Sequence, residues 1–157
     1  VGVRLAVARL PEAFMREDHP IDRLVAVVEG PVSGSVADSM RVLSQELASQ
    51  RQWVLGPPEL FDETDVRDVR SMGFVLSIYT ARPPWGEQMD RTLDRAHLGE
   101  VKELLGEICR ISGERHVTFV VDFAGESIGT VYEGRMDESL NFGLIGEWER
   151  VLDERDL

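Results

Sequence analysis

The stretch from His116 to Gly134, HVTFVVDFAGESIGTVYEG, constrains the fold more than any other part of the chain. Val117, Phe119, Val121 and Phe123 alternate with Thr118, Val120 and Asp122, the period of a strand with one apolar face. Ile128, Thr130 and Tyr132 resume the alternation after a break at Gly125. An even number of loop residues sets Val121 against Ile128 and Val117 against Tyr132, with both apolar rows on one side; an odd loop would divide them. We therefore expect a β-hairpin over 116–134 with Gly125 at positive φ. A four-residue loop, Phe123 to Glu126, suits these residues better than a two-residue type I′ turn, in which Ala124 would need a left-handed backbone.

A hairpin must lie on a core, and 157 residues suffice for one domain, over 1–157, that buries about 70% of its unfolded surface. Leu24 to Val28 is a continuous apolar run, expected of a strand buried on both faces. After the break GPVSGS, Ser35 and Asp38 resemble a capping box. Val36, Met40, Leu43 and Leu47 then recur at helical spacing, which predicts a helix over 36–50. Trp53 to Leu55 reads as a short strand stopped by Pro57 and Pro58, and FDETDVRD as a loop or edge strand.

Phe74, Leu76 and Ile78 mark another strand, and ARPPWGE a proline-stiffened loop. A long helix is expected over 87–111, burying Val101, Leu104, Leu105, Ile108 and Cys109, with Gly99 at a bend and Gly113 as its cap. Asp137 and Ser139 are turn or N-cap residues before a closing helix that carries Leu144, Ile145, Trp148, Val151 and Leu152. Residues 1–20 fit a strand or a helix face equally, and those before Met15 are expected to be loosely attached. The expected architecture is α+β: a mixed or mostly antiparallel sheet of four to five strands with two to three packed helices.

Charge bounds the partners. With 29 acidic against 17 basic residues the net charge is −12. That field repels phosphate backbones and anionic lipid, and no basic patch opposes it, so neither nucleic acid nor membrane is an expected partner. No apolar run approaches the roughly 20 residues that span a bilayer, and Arg4 and Arg9 interrupt the apolar amino end, which argues against a secretory signal. A cytoplasmic location is expected, and the one cysteine, Cys109, is compatible with it.

Gly125-Glu126-Ser127-Ile128-Gly129 matches the G-x-S-x-G of a nucleophile elbow, but the elbow needs a helix after the serine and a strand is expected there. The glycine-bearing turn 30–35 leads from strand to helix, the order that cradles anions, with Gly34, Ser35 and Arg41 as candidate contacts. Neither a P-loop nor a dinucleotide fingerprint is present. Asp94, His97 and Glu100 fall three apart on one helix without a second ligand pair, so they read as solvated helix surface rather than metal ligands. Asp62, Glu63, Asp65 and Asp68 lack the calcium-loop framework and are candidate binding carboxylates instead. Arg82 and Trp85, in the stiffened loop, are candidate interface anchors.

No cofactor or metal is expected. The leading expectation is a non-enzymatic acidic interaction protein, of the inhibitor or immunity type, that binds a cationic protein and is compatible with homo-oligomerisation. The alternatives are a small-ligand or sensor domain with a pocket near Tyr79, Tyr132 and Trp85, and, least favoured, a hydrolase using Ser127.

Overall fold

The computed structural model describes residues 20–80 and 90–155. The expectations for residues 1–19, and those for Arg82 and Trp85, lie outside them. The hairpin is present as β4 (Phe119–Phe123) and β5 (Glu126–Tyr132), joined by two residues rather than four. Ala124 at φ 52° and Gly125 at φ 85° both have the left-handed backbone of a type I′ turn. Tertiary pairing overrides alanine's preference here, because the Ala124 N–H donates to the Arg23 carbonyl of the neighbouring strand at 3.1 Å.

The expected register also fails, at one residue. Asp122 pairs with Ser127 but Val121 pairs with Gly129, so Ile128 is the extra residue of a β-bulge. Beyond the bulge the faces exchange: Val131, opposite Phe119, enters the core and Tyr132 is exposed. Gly129 serves this packing, because a Cβ there would stand 2.6 Å from Leu140 Cγ.

Among the described residues the sheet has six strands in the order β2-β3-β1-β4-β5-β6, every neighbouring pair antiparallel. Besides the hairpin these are β1 (Ile21–Val28), β2 (Glu59–Thr64), β3 (Arg70–Tyr79) and β6 (Arg135–Met136). Among the described residues three helices accompany them: α1 (Gly34–Gln50), α2 (Arg91–Arg115), and α3, which is π-wound over Ser139–Gly146 and α-helical over Glu147–Arg155. The chain is thus α+β, and the described residues alone hold six strands where the sequence pattern suggests four to five.

Leu24, Ala26 and Val28 of β1, Met72, Phe74, Leu76 and Ile78 of β3, and Phe119, Val121 and Val131 share one sheet face. Helix residues Met40, Leu43, Leu47, Val101, Leu104, Leu105, Ile108, Leu140 and Leu152 join them in one core. Val25 and Val27, on the opposite face, are only half-buried, so the apolar run of β1 is buried on one face and not on both.

The helix ends differ from the sequence reading for local reasons. Ser33, not Ser35, caps α1, its hydroxyl accepting from Val36 N–H. Trp53–Leu55 forms a turn instead of a strand: Trp53 is buried with its Nε1–H on the Leu47 carbonyl at 2.8 Å. Asp90 caps α2 by accepting from Thr92 and Leu93 N–H, and the helix runs past Gly113 to end at His116, φ 55°. Gly113 is used for close approach rather than capping, since a Cβ on it would meet Gly134 Cα at 3.3 Å. Asp137 anchors α3, accepting from Leu140 N–H through one carboxylate oxygen and from Thr130 N–H through the other.

His97 and Glu100 are not solvated surface; both side chains are fully buried. His97 Nε2 accepts the Tyr79 N–H at 3.1 Å, so its Nδ1 carries the proton and donates to Glu100 Oε1 at 2.9 Å. Glu100 Oε2 accepts Val54 N–H at 2.7 Å. One polar pair thereby ties α2 to the end of β3 and to the 51–58 loop.

Candidate interaction edge

At the outer end of the sheet, β2 and β3 form a hairpin whose segment 59–70 holds five carboxylates against two arginines. Its tip is fixed by its own side chain. Asp65 Oδ1 accepts the N–H groups of Arg67 and Val69 at 2.8 and 3.0 Å, Asp65 N–H reaches the Val69 carbonyl, and Asp68 takes a left-handed backbone at φ 66°. Val66 is fully exposed at the turn and Val69 more than half exposed.

Strand alternation sorts the carboxylates. Leu60 packs against the core, which places Asp62 on the helix side of the sheet. There Asp62 receives a bidentate pair from Arg70, both bonds 2.8 Å, and a longer contact from Arg41 at 3.5 Å. The Arg70 hydrogen bond holds its carboxyl below the ordinary carboxylate value, and Asp62 in turn raises the Arg70 guanidinium. Glu59, Phe61 and Glu63 occupy the other face. Phe61 pairs with Gly73 and its ring lies over that glycine, where a Cβ would stand 2.8 Å from ring carbon Cζ. Glu59 and Glu63 are exposed, and among the described residues neither makes an ion pair.

The other candidate residues are more dispersed. Gly34 and Ser35 open α1, the Ser35 hydroxyl 3.2 Å from that of the Ser33 cap, while Arg41 is held between Asp38 and Asp62. Ser127 lies in β5 opposite Asp122, so a strand and not a helix follows the turn of GESIG. Tyr79 is buried beside His97, Tyr132 is exposed, and β1 and β4 separate their strands, so the two tyrosines do not line one pocket. A concavity of about 550 Å³ lies elsewhere, between Gly30–Val32 after β1 and Val69–Ser71 at the start of β3. Burial raises the Cys109 thiol above its ordinary value, a backbone hydrogen bond at Met136 partly opposing it.

Among the described residues, no three His, Cys, Asp or Glu side chains converge as metal ligands would, and no helix is long and apolar enough to cross a membrane. Comparison with protein-family models, with curated proteins and with solved structures returns no match.

The sequence reading found Asp62, Glu63, Asp65 and Asp68 but treated them as one group. It missed Glu59, and it missed that Asp62 is neutralised by Arg70 while Asp65 is used internally. The signal that could have separated them was Phe61 and Gly73: an aromatic residue opposite a strand glycine is a recurrent cross-strand pairing that fixes register.

Proposed function

We propose that this is a non-enzymatic acidic interaction protein, of the inhibitor or immunity type, that binds a basic protein partner. The observation that supports the reading is the uneven placement of charge. Helix α2 balances five carboxylates with five basic residues, whereas segment 59–70 sets five against two. Carboxylates on the helices are also engaged: Glu107 and Glu114 with Arg110, Glu147 and Glu154 with Arg150, Glu149 with Lys102, and Glu103 with Arg51. The edge hairpin is one of two such places, the other being 122–138 with five carboxylates against Arg135; in the hairpin the unpaired Glu59 and Glu63 stand on a fixed scaffold, the combination that steers a cationic protein into register.

The test is affinity capture from cell extract on immobilised protein, comparing wild type with the double variant Glu59→Lys, Glu63→Lys at about 0.05 and 0.5 M salt. A partner retained by wild type at low salt, and lost both at high salt and on charge reversal, is the expected result. A partner indifferent to salt and to the reversal sinks the reading.

The concavity of about 550 Å³ favours a second reading, a small-ligand or sensor domain. Its volume is within the range of small-molecule sites, and Val28, Pro31, Val32 and Val69 supply an apolar lining beside Arg70 and Ser71. A ligand whose binding survives the Glu59 and Glu63 reversals but is abolished by Val69→Trp would establish it.

A further inference from the structure

The outer edge of β2 carries more than charge. Asp65 N–H donates to the Val69 carbonyl, which makes 65 and 69 a hydrogen-bonded pair; by alternation along the register, 63/71, 61/73 and 59/75 are hydrogen-bonded as well. The neighbouring ladder agrees. Thr80 N–H bonds the Pro20 carbonyl, so β3 spends its even residues on β1 and its odd residues on β2. The N–H and C=O groups of Leu60, Asp62 and Thr64 therefore point away from the sheet, and among the described residues no strand pairs with them.

Resting on the reading of an acidic interaction protein, we propose that β2 is a docking edge to which an extended basic segment of the partner adds as a seventh strand. The row of outward-pointing backbone groups supplies the attachment. The side chains specify the occupant. On the face opposite the helices, Glu59, Phe61 and Glu63 call for basic, apolar and basic residues directly opposite, each two apart: a basic-x-apolar-x-basic segment. On the helix side Asp62 is already paired with Arg70 and Arg41, so no further cation is required there.

A second copy of this chain is the wrong occupant. Antiparallel self-pairing centred on Phe61 sets Glu59 against Glu63 twice, and pairing centred on Asp62 sets that carboxylate against itself; like charges directly opposite destabilise a strand pair.

The probe is the peptide acetyl-Thr-Lys-Thr-Val-Thr-Lys-Thr-amide, titrated into ¹⁵N-labelled full-length protein. Controls are the same peptide with Glu for Lys, and a scrambled peptide with the two lysines adjacent. The expected result is at least about tenfold slower hydrogen exchange at the amides of Leu60, Asp62 and Thr64 with the first peptide, and none with the Glu peptide. Thr64→Pro removes one outward N–H and leaves every carboxylate in place, and it should weaken binding about tenfold or more. Should that variant not fold, exchange at the three wild-type amides decides.

No protection of those amides at millimolar peptide overturns the proposal. So does protection already present without peptide, in a protein that sediments as a dimer. Equal binding of the scrambled peptide overturns strand addition but leaves the charge-based function standing. Loss of both lysine peptides, with partner capture unchanged by Glu59 and Glu63 reversal, brings down both.

Discussion

At the scale of single residues, the buried His97–Glu100 pair matters for its direction rather than its charge. His97 Nε2 is occupied as an acceptor by Tyr79 N–H, so the ring can offer Glu100 only a donor, and Val54 N–H offers it another. A carboxylate accepts from both. Glu100→Gln keeps the shape but turns an NH₂ toward one of those N–H groups, and a buried donor left without an acceptor costs about 1–3 kcal/mol. We predict that Glu100→Gln lowers stability by about that amount, read as a lower urea midpoint at unchanged slope. Ala124 is the converse case. A non-glycine residue held in the left-handed region costs about 1–2 kcal/mol, and asparagine tolerates that region better. Ala124→Asn should therefore stabilise the protein by up to about 1 kcal/mol, a rise in Tm of about 2–4 °C for a chain of this size. An unchanged or lower Tm would show that the turn is not strained at Ala124.

At the scale of elements, the β2–β3 hairpin is held in register by Phe61 over Gly73 on one face and by Asp62 with Arg70 on the other. The second clasp is pH-dependent in a definite sense. Arg70 depresses the Asp62 carboxyl below its ordinary value of 3.8, so its contribution is complete above that value and disappears as pH falls through the lower folded value. Asp62→Asn should melt below wild type at pH 7, and the two melting curves should converge as pH drops below about 3.8; a constant gap down to pH 2 would refute the linkage.

Elements of this kind show what was legible in the sequence. Strands β3 and β4 and helices α1 and α2 were readable because a single apolar period runs through each, as in Phe74, Leu76, Ile78 or Val101, Leu104, Leu105, Ile108, whereas β1 was readable as an unbroken apolar run that hides which face is buried. β5 misleads because its bulge at Ile128 is invisible to a strict period of two, which exposes Tyr132 and buries Val131. The sequence of β2 reads equally as loop or edge strand because Leu60 and Phe61 are adjacent, so no face repeats; its strand character comes from pairing with β3. Nothing in the spacing of His97 and Glu100 reveals burial, since their partners are backbone N–H groups distant in sequence. The carboxylates of the candidate edge were visible, but which of them were already compensated was not.

At the scale of the whole molecule, two electrostatic effects oppose each other, and salt separates them. Several of the ion pairs on the helices are exposed and spaced three or four residues apart, as Arg110 with Glu107 and Glu114, and such pairs contribute a few tenths of a kcal/mol each. Screening them destabilises slightly. The net charge of −12 acts the other way, because its self-repulsion favours the unfolded chain, and screening removes that penalty. The surplus of twelve negative charges exceeds what the weak local pairs recover, so raising NaCl from about 0.02 to 0.5 M, which shortens the Debye length from over 20 Å to about 4 Å, should raise Tm by a few degrees. Over the same range the affinity for a basic partner should fall, because there the screened interaction is attractive. Folding and binding are thus expected to respond to salt with opposite signs, and differential scanning fluorimetry and a binding titration on the same samples read both. A Tm that falls with salt would mean that the arginine pairs outweigh the repulsion and that the acidic surplus is more locally compensated than segment 59–70 suggests.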